Sequence, residues 1–248
     1  MKKLPLAVVV LTVSYLCMGL IVRHDVSLDK FISLGKDYPQ ICHLADGEGA
    51  LIAQNWVLTA AHAAVVLKEE LDNGLTPEVI IDEEQYPVEK VVLHPNFELT
   101  NTSITSDIAL IKIKKAVTHI PIAKLYNDKD EKGKQIVLVG RGDFGTGLTG
   151  PQKTDKITRA ATNRVDGTRG DWIYFTFDAP GSDNATPMEG VSGPGDSGGP
   201  AFVDIAGERY ILGVSSHQMD NGQEGVYGVI ENYTRVSAYK TWITEQIQ

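Results

Sequence analysis

Cysteine is nearly missing from this chain of 248 residues, which carries only Cys17 and Cys42. Cys17 falls inside an apolar amino-terminal run, so a chain that loses that run keeps one thiol and can form no internal disulfide. A small exported domain would need such staples, whereas a chain of this length can bury enough apolar surface to stand without them. Cys42 then reads as a packing residue, because no His or Asn arrangement surrounds it to make a thiolate nucleophile. Basic residues are also short, with 23 Lys and Arg against 32 Asp and Glu and a formal net charge of -9. A partner recognised through phosphates calls for a basic face, so this balance argues against nucleic acid. There is no repeat of solenoid length and no low-complexity linker. The glycine-rich stretch from Arg141 to Gly150 matches neither a Walker nor a dinucleotide pattern, and it reads as a surface loop.

What is present begins with export. Met1-Lys2-Lys3 is a short basic start, and Leu4 to Leu20 is apolar with few interruptions, the pattern of a secretory signal peptide over residues 1–20. Gly19, with Cys17 two residues before it, offers a cleavage site. The expectation is a mature domain over residues 21–248 that is secreted or periplasmic, with no stable membrane association once the signal is gone. A retained anchor is the alternative, since the run approaches spanning length.

Beyond it the chain is dominated by short strand-like runs. Gly47 to Ile52 and Trp56 to His62 flank a turn at Gln54-Asn55, and small residues after His62 suit a short helix. Val79-Ile80-Ile81, Tyr86-Pro87-Val88 and Lys90 to Pro95 follow, then Asp107 at the mouth of the apolar run Ile108 to Ile113. Gln135 to Gly140, Trp172 to Phe177, Ala201 to Val203 and Tyr210 to Ser216 continue the pattern, the last two bracketing a hairpin at Ala206-Gly207. Only Ser237 to Gln248 has helical spacing, through Tyr239, Trp242, Ile243 and Ile247, with Ser237 as a cap.

One stretch carries the chemistry. In Gly193-Pro194-Gly195-Asp196-Ser197-Gly198-Gly199-Pro200, six residues are Gly or Pro around a single hydroxyl. Glycines permit backbone angles barred to other residues and let N–H groups approach a substrate carbonyl. Ser197 is therefore a nucleophile candidate, and a Gly/Pro turn with an incidental serine is the plain alternative. His62 stands at the exit of a strand, where a side chain faces a cleft. His24, His43, His94 and His119 read as structural. Asp107 in an apolar context needs a partner, which a histidine N–H or a set of turn N–H groups could equally supply. Together the three provide a hydroxyl, a base and an orienter of the base.

These motifs resemble the trypsin/chymotrypsin-like serine protease family, which has the same chain order of His, Asp and Ser. The resemblance rests on Leu58-Thr59-Ala60-Ala61-His62, Asp107-Ile108-Ala109-Leu110, Gly195-Asp196-Ser197-Gly198-Gly199-Pro200 and Gly213-Val214-Ser215-Ser216. It implies an all-β fold of two six-stranded antiparallel β-barrels followed by a carboxy-terminal α-helix, with the active site between the barrels. It implies a catalytic set of His62, Asp107 and Ser197, with Ser216 supporting the aspartate and the N–H groups of Gly195 and Ser197 forming an oxyanion hole. It also implies an ion pair between Asp196 and a new α-amino group, for which Ile21-Val22 resembles the mature terminus. Arg23-His24 departs from the glycines that commonly follow there, and the absence of disulfides, with Ala63 where a cysteine normally follows the histidine, suggests a bacterial member. No metal or cofactor is required. Protein or peptide is the expected substrate, a catalytically silent binding homologue and a serine esterase being the alternatives.

Specificity is where the chain departs most. The residue six before the nucleophile, at the base of the family's specificity pocket, is Val191, and an acid is absent there. A buried cation would lack a partner, so the expectation is a small or apolar residue before the scissile bond (P1), with Val191, Ser192, Ser216, His217, Gln218 and Gly225 around the pocket. Gln218 is expected to narrow its entrance.

Overall fold

A computed structural model describes residues 20–220 and 222–248. The signal peptide expected over residues 1–20 lies outside the described residues apart from Leu20. Among the described residues no helix is long and apolar enough to cross a membrane.

The chain enters through two residues of strand, β1 (Ile21–Val22), and a short helix, α1 (Leu28–Gly35). Then come β2 (Ile41–Leu44), β3 (Gly47–Ala53), β4 (Trp56–Thr59), helix α2 (Ala61–Asp72), β5 (Glu78–Ile81) and β6 (Glu84–Leu93). A two-strand ribbon, β7 (Glu98–Leu99) with β8 (Ile104–Thr105), precedes β9 (Ala109–Ile113). Strands β2, β3, β4, β9, β6 and β5 pair in that order and close a barrel. The β3–β4 turn sits at Gln54-Asn55 as expected. The two runs expected on either side of Glu89 are one strand, β6, because a register shift between Val88 and Lys90 absorbs the irregularity that Pro87 announces. Cys42 is fully buried in this barrel's core; its Sγ donates to the Gln40 carbonyl at 3.4 Å, and desolvation raises the thiol well above its ordinary pKa. That is the inert packing role expected.

The second half holds β10 (Lys124–Leu125), β11 (Gln135–Gly140), β12 (Asp143–Thr146), β13 (Gly150–Thr154), β14 (Arg159–Arg164), β15 (Gly167–Arg169) and β16 (Trp172–Thr176). After these come β17 (Gly190–Val191), β18 (Pro200–Ile205), β19 (Glu208–Met219), β20 (Ile230–Arg235) and the final helix α3 (Val236–Gln246). One sheet runs β14-β11-β18-β19-β20-β16-β15, with β10 alongside β19. Its ladder does not return from β16 to β14. There the Asn163 amide bridges the seam, its Nδ2 donating to the carbonyls of Thr176 at 3.1 Å and Gly190 at 2.9 Å. Of the two six-stranded barrels expected, the first is closed by its ladder, while the second half is a sheet joined across its seam by a side chain. The β18–β19 hairpin turns at Ala206-Gly207 with both residues at positive φ, the geometry of a tight two-residue hairpin.

Residues 141–150 are not the surface loop expected. They supply β12 to a four-strand sheet, β13-β12-β1-β17, in which Ile21 lies parallel to Gly145 and antiparallel to Val191. Gly142, Asp143, Gly145 and Gly147 are buried there. A Cβ on Gly145 would come within 1.9 Å of the Gly150 carbonyl oxygen, so the glycine serves close backbone approach rather than exposure. At the other end Ser237 does not cap α3. Its hydroxyl donates instead to Glu131 at 2.6 Å, the same carboxylate that holds Arg235 at the N-cap. Tyr239 and Ile243 bury the helix against the first barrel's core.

Candidate active site

His62 lies in the first turn of α2, three residues after β4 ends, and Asp107 stands two residues before β9 begins. Strands β4 and β9 are paired with Thr59 opposite Ala109, so both side chains leave the barrel at the same rim. Asp107 takes two bonds from one residue: His62 Nδ1 lies 2.7 Å from its Oδ2, and the His62 backbone N–H donates to its Oδ1 at 2.9 Å. Ring and backbone are thereby fixed together, which sets the tautomer with Nδ1 protonated and leaves Nε2 as the free base.

A third bond comes from the other half of the molecule. The hydroxyl of Ser216 donates to Asp107 Oδ2 at 2.6 Å. Ser216 reaches it because the β19–β20 register shifts between Ser215 and His217, and the extra residue turns its side chain out of the pleat. Thr234 of β20 adds a bond from its hydroxyl to the Asp107 carbonyl at 2.7 Å. Asp107 is fully buried. Burial alone would raise its carboxyl, but the bonds and charge from His62, with Ser216, outweigh it and hold the pKa below the ordinary value. It is a buried acid kept ionised. Burial lowers the His217 pKa, and its ring is set edge-on to Trp172 at 5.0 Å.

Ser197 sits in the turn between β17 and β18. Gly198 has φ +82°, and a Cβ there would come within 2.1 Å of Thr59 Oγ1, so the turn presses directly on the strand that leads to His62. Backbone bonds fix the turn: Asp196 N–H to the Gly193 carbonyl at 3.0 Å, Glu48 N–H to that of Ser197 at 2.8 Å, and Gly198 N–H to that of Ser215 at 2.9 Å. The N–H groups of Gly195, at φ +93°, and Ser197 have no acceptor among the described residues. Asp196 is turned inward. Its carboxylate accepts from the N–H groups of Gly193 at 3.1 Å and Gly142 at 3.3 Å, and burial, with Glu48 nearby, drives its pKa well above the ordinary value.

Two cavities meet at Ser216 and His217. One, of about 340 Å³, is lined by His62 with Leu99 and Ile104 of the ribbon. The other, of about 70 Å³, starts at Ser197 and includes Ser192, Gly193, Pro194 and Gln218. His62 lines the larger cavity and Ser197 the smaller. Gln218 lines the smaller cavity; its Nε2 donates to the Ser192 carbonyl at 2.9 Å, and its Oε1 accepts from the Gly225 N–H at 2.9 Å. Two expected lining residues are elsewhere. Val191 is fully buried in β17 against Ile21, and Gly225 contributes a backbone bond behind Gln218 while its Cα faces Ile21. In their place stand Glu224 and Glu231. Neither stood out in the sequence; the available signal was Glu231 alternating with Tyr233 on the inward face of a strand.

No group of His, Cys, Asp and Glu among the described residues could hold a metal ion. The Trypsin family matches residues 35–243. Among curated relatives, the chain is 29% identical over 219 residues to "Chymotrypsin-like elastase family member 1" of Macaca fascicularis, covering 80% of this chain and 77% of that one. It is 28% identical over 229 residues to "CLIP domain-containing serine protease B15" of Anopheles gambiae, covering 79% of this chain and 59% of that one. Among solved structures, mouse neuropsin, a serine protease, superposes with a TM-score of 0.68 at 20% identity, over 92% of this chain and 99% of that one. The chain belongs to the trypsin family of serine proteases.

Proposed function

We propose that the protein is an exported serine endopeptidase that cleaves protein or peptide substrates through an acyl-enzyme. The observation that carries this reading is the doubly anchored His62, whose Nδ1 and backbone N–H are both committed to one buried, ionised Asp107. Such a histidine can take a proton only at Nε2. It removes the Ser197 proton as the hydroxyl attacks the scissile carbonyl, and returns it to the leaving amine when the acyl-enzyme forms. Asp107 stabilises the imidazolium between these steps. The unaccepted N–H groups of Gly195 and Ser197 receive the oxyanion, worth roughly 3 kcal/mol per donor.

Asp196 supports a further part of this reading. Its carboxyl is buried with backbone N–H groups as its hydrogen-bond donors, and it needs a cation to ionise. We assign that cation to the α-amino group released when the amino-terminal run is removed at Leu20, with Ile21 leading the mature chain between β12 and β17. Leu20 itself is buried, so removal on either side of it leaves the new terminus in this sheet. For the P1 side chain, the expectation of a small residue keeps the support of the small cavity, while the apolar expectation loses the support of Val191.

The test is a fluorophosphonate probe and casein hydrolysis on one secreted sample whose amino terminus is sequenced. The expected result is labelling at Ser197, casein cleavage, and a terminus at Leu20 or Ile21. The Ser197→Ala variant should lose labelling and about 10⁶-fold in kcat. Undiminished proteolysis in that variant would remove the nucleophile, and an active enzyme beginning well upstream of Leu20 would remove the amine.

A further inference from the structure

Glu48 is a buried acid, 2% exposed, that no step of the reaction uses. It stands opposite His43 across the β2–β3 pair, and His43, itself buried, places its Nδ1 2.5 Å from Glu48 Oε2. A carboxylate only accepts, so Nδ1 carries the proton. The other oxygen, Oε1, accepts from the Arg141 N–H at 3.1 Å. The next N–H along the chain, that of Gly142, is one of the two that donate to Asp196. Two buried acids therefore hold neighbouring N–H groups of one segment, and the second of them adjoins Ser197.

The backbone of Glu48 meets the nucleophile's turn as well. Its N–H donates to the Ser197 carbonyl at 2.8 Å, and its carbonyl accepts at 2.6 Å from Thr59 Oγ1, at the end of the strand that leads to His62. The approach is close: a Cβ on Gly47 would come within 2.7 Å of the Ser197 carbonyl oxygen, and one on Gly198 within 2.5 Å of the Glu48 carbonyl oxygen. One residue of the first barrel thus touches the strand before the base, the nucleophile's own carbonyl and the segment that binds Asp196. A shift of this residue is passed to all three, and a misplacement of ~1 Å at reacting groups costs about a hundredfold in rate.

His43, which fixes the Glu48 side chain, is reached from outside. It lines a third cavity, of about 270 Å³, with Lys36, Tyr38, Asp82 and Glu83. Lys36, Asp82 and Glu83 are exposed, so this cavity opens to solvent, and it shares no lining residue with the cavities at His62 and Ser197. We propose that Glu48 is a positioning residue for Ser197, locked by the His43 imidazole, so that turnover depends on a side-chain bond remote from both catalytic cavities. The inference rests on the serine endopeptidase reading.

The experiment measures kcat and KM on one peptide substrate for the secreted enzyme and two variants, with the active fraction counted by the fluorophosphonate probe in each sample. His43→Ala removes the donor to Glu48 Oε2 and opens onto the existing cavity, so it leaves no sealed void; kcat should fall roughly tenfold to a hundredfold with KM within about twofold. Imidazole added in solution fits the space the ring leaves and should restore kcat several-fold in this variant, with no effect on the wild type. Glu48→Gln keeps the shape but exchanges charge-assisted bonds for neutral ones, and kcat should fall roughly threefold to tenfold. Wild-type kcat in a folded sample of either variant overturns the proposal, and Glu48→Gln decides alone if His43→Ala does not fold. A loss carried by KM overturns it too, because the effect then lies in substrate binding. So does a loss in His43→Ala that imidazole leaves untouched, which makes the ring a packing group. In each of these outcomes a wild type that labels and cleaves leaves the endopeptidase reading standing, whereas one that does neither overturns that reading, and this proposal with it.

Discussion

Asp107 and Glu231 are both buried carboxyl groups, and their protons behave in opposite ways. Asp107 accepts from a histidine ring, a backbone N–H and a hydroxyl, and its pKa is held below the ordinary value despite complete burial. Glu231 accepts from a hydroxyl and an amide, and burial lifts it to about 8. The difference lies in what faces each acid. A titratable partner that can carry positive charge stands against Asp107, whereas only neutral donors stand against Glu231. Asp196 sits with Glu231 in this comparison, buried and raised, and the new amino terminus is its assigned cation.

The comparison can be broken most severely on the relay side. Asp107→Asn keeps the shape but removes the charge and the tautomer control, and kcat should fall roughly 10⁴-fold, measured by single-substrate kinetics with the probe-active fraction counted. A loss below about tenfold would mean that Asp107 does not orient His62. Ser216→Ala removes one hydrogen bond to the charged carboxylate. With about 1.5–3 kcal/mol at stake for such a bond, kcat/KM should drop roughly ten- to a hundredfold while the thermal midpoint moves little. An unchanged kcat/KM would reduce the Ser216 contact to packing.

The effect smallest per unit of change concerns stability against pH. In the folded protein Glu231 keeps its proton up to about 8, whereas its unfolded value is the ordinary 4.5, so between these the folded state binds more protons than the unfolded one. Stability should therefore decline as pH rises through that window, by up to about 1.4 kcal/mol per pH unit from this group. Glu231→Gln removes that decline, and urea melts at a series of pH values should show the variant gaining on the wild type toward higher pH. Parallel curves would show that Glu231 does not hold its proton. The sign is opposite for Asp107: its lowered pKa contributes stability present above the unfolded value and lost as pH falls through the folded one.

Much of this site was legible before any tertiary structure. His62, Asp107 and Ser197 could be picked out because each lies beside a run of apolar residues whose end must meet a cleft, and because the residues around Ser197 leave few backbone alternatives. The strands of the first barrel and the Ala206-Gly207 turn were legible for a similar reason, since their signals are local. Less legible was whatever depends on a partner remote in the chain. The stretch Arg141 to Gly150 looks like a loop until Ile21 is laid beside it, and Ser237 looks like a cap until Glu131 takes its hydroxyl. Val191 looked like the floor of the cavity and is instead the neighbour of Ile21.

The sequence alone determined which residues are the candidates for nucleophile, base and orienter, because residue type and immediate flanks dictate which atoms can carry a proton at a strand end. Only the tertiary structure decided which acids line the cavity that starts at Ser197. Glu231 reaches it through the pairing of β19 with β20 and a one-residue shift at Ser216, and register between strands places side chains on one face or the other in a way that no local pattern of residues records.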